Sequence, residues 1–203
     1  MPEEIKTQGQ GVMYFLNQPV LLRNLLLMII IWVVTTFNYF MIAIQVKNFP
    51  GDFNLNTIVM FGSDVPFSLL GGLLLRRFSA KKVFALSSIL QSVAGIMIVG
   101  FTDVNNPSYT FLVLVACARG GVCSLFIALF TEHPRMFPTL FGVTSIGICN
   151  FASRSSVIFA PIIAEIAFPT PIIIFTILAL SALVCSLFII DDKESIKMED
   201  VKG

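Results

Sequence analysis

Apolar positions in this chain gather into long uninterrupted runs separated by short polar stretches, with neither strand-like alternation nor the narrow apolar stripe of a soluble amphipathic helix. The first run, residues 25–44, holds 20 residues without a charge, among them Trp32 and Tyr39. A helix needs about 20 apolar residues to cross a bilayer core, so this run predicts a membrane span. Further runs follow at 57–75, 83–101, 109–130, 140–167 and 172–190. The pattern predicts an all-α membrane protein with residues 1–20 as an N-terminal tail, 21–190 as one six-helix transmembrane domain and 191–203 as a polar C-terminal tail. Residues 11–24, with Met13, Tyr14, Phe15 and Leu16 ahead of Pro19, suit an interfacial helix or a disordered leader. Residues 102–108 and 169–171 read as turns.

Composition agrees with the pattern. The chain is 56% hydrophobic and only 12% charged, against about 25% charged in an ordinary soluble domain. A net charge of +1, with no basic cluster backed by aromatic platforms, excludes a nucleic-acid partner. Cys117, Cys123, Cys149 and Cys185 lie inside apolar runs and read as structural, and His133 is the only histidine, so neither a metal site nor a cofactor is expected. His133, in Glu132-His133-Pro134, reads as a solvated loop residue. Without a histidine base or a matched acid pair inside the spans, no enzyme is expected. The acidic leader Met1-Pro-Glu-Glu argues against a cleavable presequence.

Charge placement sets the orientation. The tails and the second and fourth loops hold Lys6, Arg23, Arg76, Arg77, Lys81, Lys82, Arg135, Lys193, Lys197 and Lys202, whereas the opposite loops hold Lys47 alone. The positive-inside rule therefore predicts both termini on the cytoplasmic side, with Arg76, Arg77, Lys81 and Lys82 forming a cytoplasmic loop.

Three ionisable residues interrupt the spans: Asp64 in the second, Arg119 in the fourth and Arg154 in the fifth. A charge near a helix centre costs roughly 2.5–3.5 kcal/mol on insertion scales, so such groups face a bundle interior or a wet cavity and have a partner. At 1.5 Å per residue, Asp64 lies about 10 Å from the outer end of its span, Arg119 near mid-depth, and Arg154 about 20 Å from the cytoplasmic end. All three can therefore converge in one layer as candidate substrate-binding residues, one or both arginines as donors to an anion; a buried ion pair that fixes helix register is the alternative. Two arginines against one acid leave a positive surplus unless Glu165 or a bound anion balances it. Ser145, Cys149, Ala152, Ser156, Ala160 and Ala164 mark a small-residue packing stripe in the fifth span, as Ala85, Ser88, Ser92 and Gly95 do in the third.

The run Phe137-Pro-Thr-Leu-Phe-Gly-Val-Thr-Ser-Ile-Gly-Ile-Cys-Asn-Phe-Ala-Ser-Arg154, continuing to Ala160-Pro161, resembles the Tyr-Pro-Thr motif of the organic cation, organic anion and carnitine transporter branch of the major facilitator superfamily. Arg119-Gly120-Gly121 falls where that family often has Lys-Phe-Gly, and Asp64-Val-Pro66 resembles its eighth-helix acid-x-Pro. Leu21-Leu-Arg-Asn24 resembles the entry to its seventh helix, and the stretch from Gly72 to Lys82 is similar to a degraded copy of its cytoplasmic loop. The resemblance covers about residues 19–195 and matches the C-terminal six-helix half. It implies one half of a major-facilitator-type bundle working by alternating access, with Arg154 at a position that anion- and carnitine-handling members use for substrate.

Family charges that latch cytoplasmic helix ends are altered: Gly142 stands for an Arg, Arg76 for an Asp and Arg135 for a Glu. The expected function is a half-size secondary transporter of anionic or zwitterionic solutes, its mate being a second six-helix half as a second copy or a separate chain. The alternative is a non-transporting structural subunit of a larger membrane complex. The first reading implies a plasma membrane by family analogy, the second an internal one.

Overall fold

The computed structural model describes residues 19–101, 109–137 and 139–189, with backbone alone for Thr139 and Leu140. The expected leader, the turn at 102–108 and the polar tail from 191 onward lie outside the described residues. All regular structure in the described residues is helical. α1 spans Pro19–Gln45 and continues through a short 3-10 turn, Val46–Asn48; α2 is Phe53–Gly62, α3 Asp64–Arg77, α4 Ala80–Phe101, α5 Tyr109–Met136, α6 Thr139–Val157, α7 Ala160–Ala164 and α8 Thr170–Phe188.

Among the described residues, five segments are long and apolar enough to cross a membrane: Pro19–Asn48, Phe53–Arg77, Ala80–Phe101, Tyr109–Met136 and Thr170–Phe188. The stretch expected as the fifth span, 140–167, holds two helices, α6 and α7. α6 carries Asn150, Arg154 and several serines, which lower its hydropathy, and it stops before the segment in which Pro161 opens α7. The second span begins earlier than its apolar run because Asp52 caps it, its side chain accepting from the N–H groups of Asn54 at 2.7 Å and Leu55 at 3.0 Å.

α1 is the central helix, packed by α5, α6, α7 and α8, while α4 lies between α5 and α8. Two apolar clusters stack along the bundle. One gathers Met41, Ile42, Met60, Ile98, Val115 and Ile172 around the α1–α2 end. The other gathers Leu25, Met28, Trp32, Val83, Leu129, Phe137 and Ile189 at the opposite end. Between them the buried residues turn polar: Thr35, Thr36 and Asn38 of α1, Ser88, Gln91 and Ser92 of α4, and Arg119 and Ser124 of α5.

Lipid is as apolar as the helix surfaces, so close backbone approach and hydrogen bonds hold such a bundle together. Gly120 and Gly121 serve that purpose. A Cβ on Gly120 would enter the Phe67 ring of α3, and one on Gly121 would come within 2.9 Å of the Gln91 nitrogen of α4. The small-residue stripes act likewise, with Ser145, Cys149, Ala160 and Ala164 fully buried.

Candidate solute-binding cleft

The second span breaks where its sequence requires. Pro66 has no N–H for the Gly62 carbonyl and its ring crowds that oxygen, so the helix is interrupted at Ser63 and restarts as α3 with Asp64 in its first turn. A carboxylate there is favoured by the helix dipole. Facing it is Arg119 of α5, whose Nε donates to Asp64 Oδ1 at 2.8 Å and whose Nη2 donates to Oδ2 at 2.9 Å. This forked pairing is the strong geometry for a guanidinium and a carboxylate. Nη1 donates to the Tyr39 carbonyl oxygen at 2.7 Å, and the guanidinium lies 3.6 Å from the Tyr39 ring centroid. Cys123 Sγ donates to Asp64 Oδ1 at 3.1 Å, and the Tyr39 hydroxyl lies 3.5 Å from Oδ2.

Arg119 is 0% exposed, whereas the Asp64 side chain keeps 22% of its surface. The acid therefore looks outward, into an open cleft of about 310 Å³ lined by Tyr39, Phe40, Asp64, Ser68, Cys123, Phe126, Ile127, Phe130 and Arg154. Such a size and lining, four aromatic rings beside a few polar and charged groups, suit a small organic molecule. Arg154 of α6 also lines the cleft, its guanidinium 5.7 Å from the Phe40 ring centroid. No acid among the described residues pairs with it. Glu165, the acid that could have balanced it, is instead ion-paired with Lys47, and Asn48 Nδ2 beside that pair donates to the Ala164 carbonyl oxygen at 2.9 Å.

Of the three charges read from the sequence, Asp64 and Arg154 line the cleft, while Arg119 lies behind Asp64 as its partner. The four basic residues expected in the cytoplasmic loop sit at helix ends: Arg76 and Arg77 close α3, Lys81 and Lys82 open α4, and only Phe78 and Ser79 connect them. The aromatic lining went unread in the sequence. Its signal was Arg119, Cys123, Phe126 and Phe130, spaced at four, three and four positions along one face of α5. His133 corrects the reading as a solvated loop residue. α5 continues through Pro134 to Met136, which carries the imidazole into the interior, where it is 0% exposed.

No family model matches the chain. It is 27% identical to mouse solute carrier family 22 member 4 over 133 residues, 66% of this chain and 24% of that protein. Human organic anion transporter 3 is 27% identical over 174 residues, 84% of this chain and 32% of its own length. Human solute carrier family 22 member 13 is 23% identical over 191 residues, 92% and 34% respectively. Its relatives are the organic cation, organic anion and carnitine transporters of solute carrier family 22. The chain spans about a quarter to a third of the length of the family 22 proteins it matches. With its apolar helices, this relatedness makes it a multi-pass integral membrane protein of transporter-like origin, and its relatives are transporters rather than enzymes.

Proposed function

We propose that the chain forms one wall of the solute path of an alternating-access transporter, and that the cleft receives an anionic or zwitterionic organic solute. The observation that carries this reading is the charge balance: Asp64 is committed to Arg119, so Arg154 faces the cleft as an uncompensated cation. In a partly desolvated site that charge attracts an anion and meets a carboxylate with two parallel donors. Tyr39, Phe40, Phe126 and Phe130 take the apolar body of the solute, and Arg119 positions Asp64 rather than touching the solute. The cleft is open, and a second six-helix half closes it, the site then lying between two halves as in other facilitators.

The test is uptake of a labelled organic anion. Arg154→Ala is expected to abolish uptake while the protein still reaches the membrane, and Arg154→Lys to retain part of it. Unchanged uptake in Arg154→Ala would remove the assignment.

One observation favours a second reading, a non-transporting subunit of a larger membrane complex. Arg135, standing where the resembled family has its latch Glu, pairs with Glu132 of its own helix at 2.8 Å instead of bridging to another. Purification in a fixed stoichiometry with several other membrane proteins, combined with no uptake, is the result that reading expects.

A further inference from the structure

One turn below Phe130, α5 turns His133 into the interior between α1 and α6. Trp32 Nε1 donates to His133 Nδ1 at 3.2 Å, and His133 Nε2 lies 2.9 Å from Ser145 Oγ. An indole N–H only donates, so Nδ1 is the accepting nitrogen and the neutral ring carries its proton on Nε2. That proton goes to Ser145 Oγ, whose own hydrogen goes to the Gly142 carbonyl oxygen at 2.8 Å. The relay runs in one direction, with no partner unmatched, through three helices that share an apolar cluster here. The indole so held meets Phe130 edge-on at 4.7 Å between centroids and Phe126 at 6.5 Å, and these two rings line the cleft.

We infer that His133 is a positioning residue for the floor of the cleft. It fixes Trp32 as the wedge beneath Phe126 and Phe130, and both of its hydrogen bonds break when α5 parts from α1 and α6 to open the cleft toward the basic end of the bundle. Its role as a clasp stands on the geometry; its use as a gate rests on the transport reading.

Trp32 is the single tryptophan of the chain, so acrylamide quenching of its emission in this chain, held in lipid nanodiscs, reads the floor directly. His133→Asn places an acceptor near the former Nδ1 and is expected to keep Trp32 shielded. His133→Gln reaches Ser145 but not the indole, and His133→Leu reaches neither; both are expected to lose the shielding. Equal shielding in all three overturns the inference, and so does equal loss in all three, which would mean that ring volume alone matters. If these variants fail to fold, Ser145→Ala leaves the ring in place and frees the α6 arm; it is expected to raise quenching, and unchanged quenching overturns the clasp. Should the parent chain take up no organic anion while the contrast between Asn and Gln persists, the clasp stands and the transport reading fails.

Discussion

At the residue scale the bundle depends on one buried pair. Arg119 has no solvent exposure, and its charge is balanced by Asp64 alone among the described residues. Removing one member of such a pair strands the other, at a cost of about 3–5 kcal/mol, whereas removing both costs less. Asp64→Asn is therefore expected to lower the thermal unfolding midpoint of the detergent-solubilised protein sharply, and Asp64→Asn with Arg119→Leu to recover part of the loss. Equal midpoints for Asp64→Asn and the parent chain would show that the pair carries little. Arg119→Lys recovers little, since an ammonium cannot bridge both carboxylate oxygens and the Tyr39 carbonyl at once. These charges were legible in the sequence because an ion inside an apolar run is anomalous. The aromatic wall was not, because a Phe facing the cleft and a Phe facing lipid look alike among 20 of them. His133 was misread for the reverse reason: Glu132 and Pro134 made its surroundings look like a turn, and only tertiary packing shows that the helix runs on.

At the scale of elements, run length located the spans, and special residues decided how they are shaped. Pro66 divides α2 from α3 and thereby aims Asp64 at α5; Asp52 lengthens the same span at its start; Pro161 separates α7 from α6. Periodicity carries none of these details, although each breaking residue is visible once the pairing of helices is known. The contact between α3 and α5 is a demanding one, since Phe67 occupies the space over Gly120. Gly120→Ala is expected to cost about 1–3 kcal/mol, the range for overpacking, and to loosen the Asp64 to Arg119 pairing by pushing α3 outward. Gly72→Ala, where a Cβ meets nothing within 4 Å, is expected to be neutral or slightly stabilising, because alanine loses less chain entropy in a helix. Unfolding midpoints of the two variants check the contrast, and similar values would mean that α3 and α5 are not held by this contact.

For the whole molecule, the decisive feature is how little of one flank is covered. Few residues of the Phe53–Arg77 span are buried, 11% of its most apolar stretch, and Val65 and Leu69 of α3 and Phe151 of α6 stand exposed. Lipid alone satisfies their apolar surface, but it leaves Arg154 and the carboxylate of Asp64 facing hydrocarbon, where ionisable groups are costly. A protein wall removes that cost. The chain solubilised in mild detergent is therefore expected to travel with one further six-helix body, a second copy or a separate chain, and cysteines placed at Val65 and Phe151 are expected to cross-link to it. The topology belongs to the same test. Arg76, Arg77, Lys81, Lys82 and Arg135 share the end of the bundle opposite the Lys47 to Glu165 pair, so a cysteine at Arg77 is expected to react with an impermeant thiol reagent from the cytoplasmic side only. A chain that travels alone, with Val65 and Phe151 cross-linking to nothing, would mean that lipid fills the cleft and that Arg154 finds its counter-ion in a phospholipid headgroup. Stoichiometric migration within a large assembly would shift the reading to a structural subunit, with the paired charges at Asp64 and Arg119 serving helix register in place of solute capture.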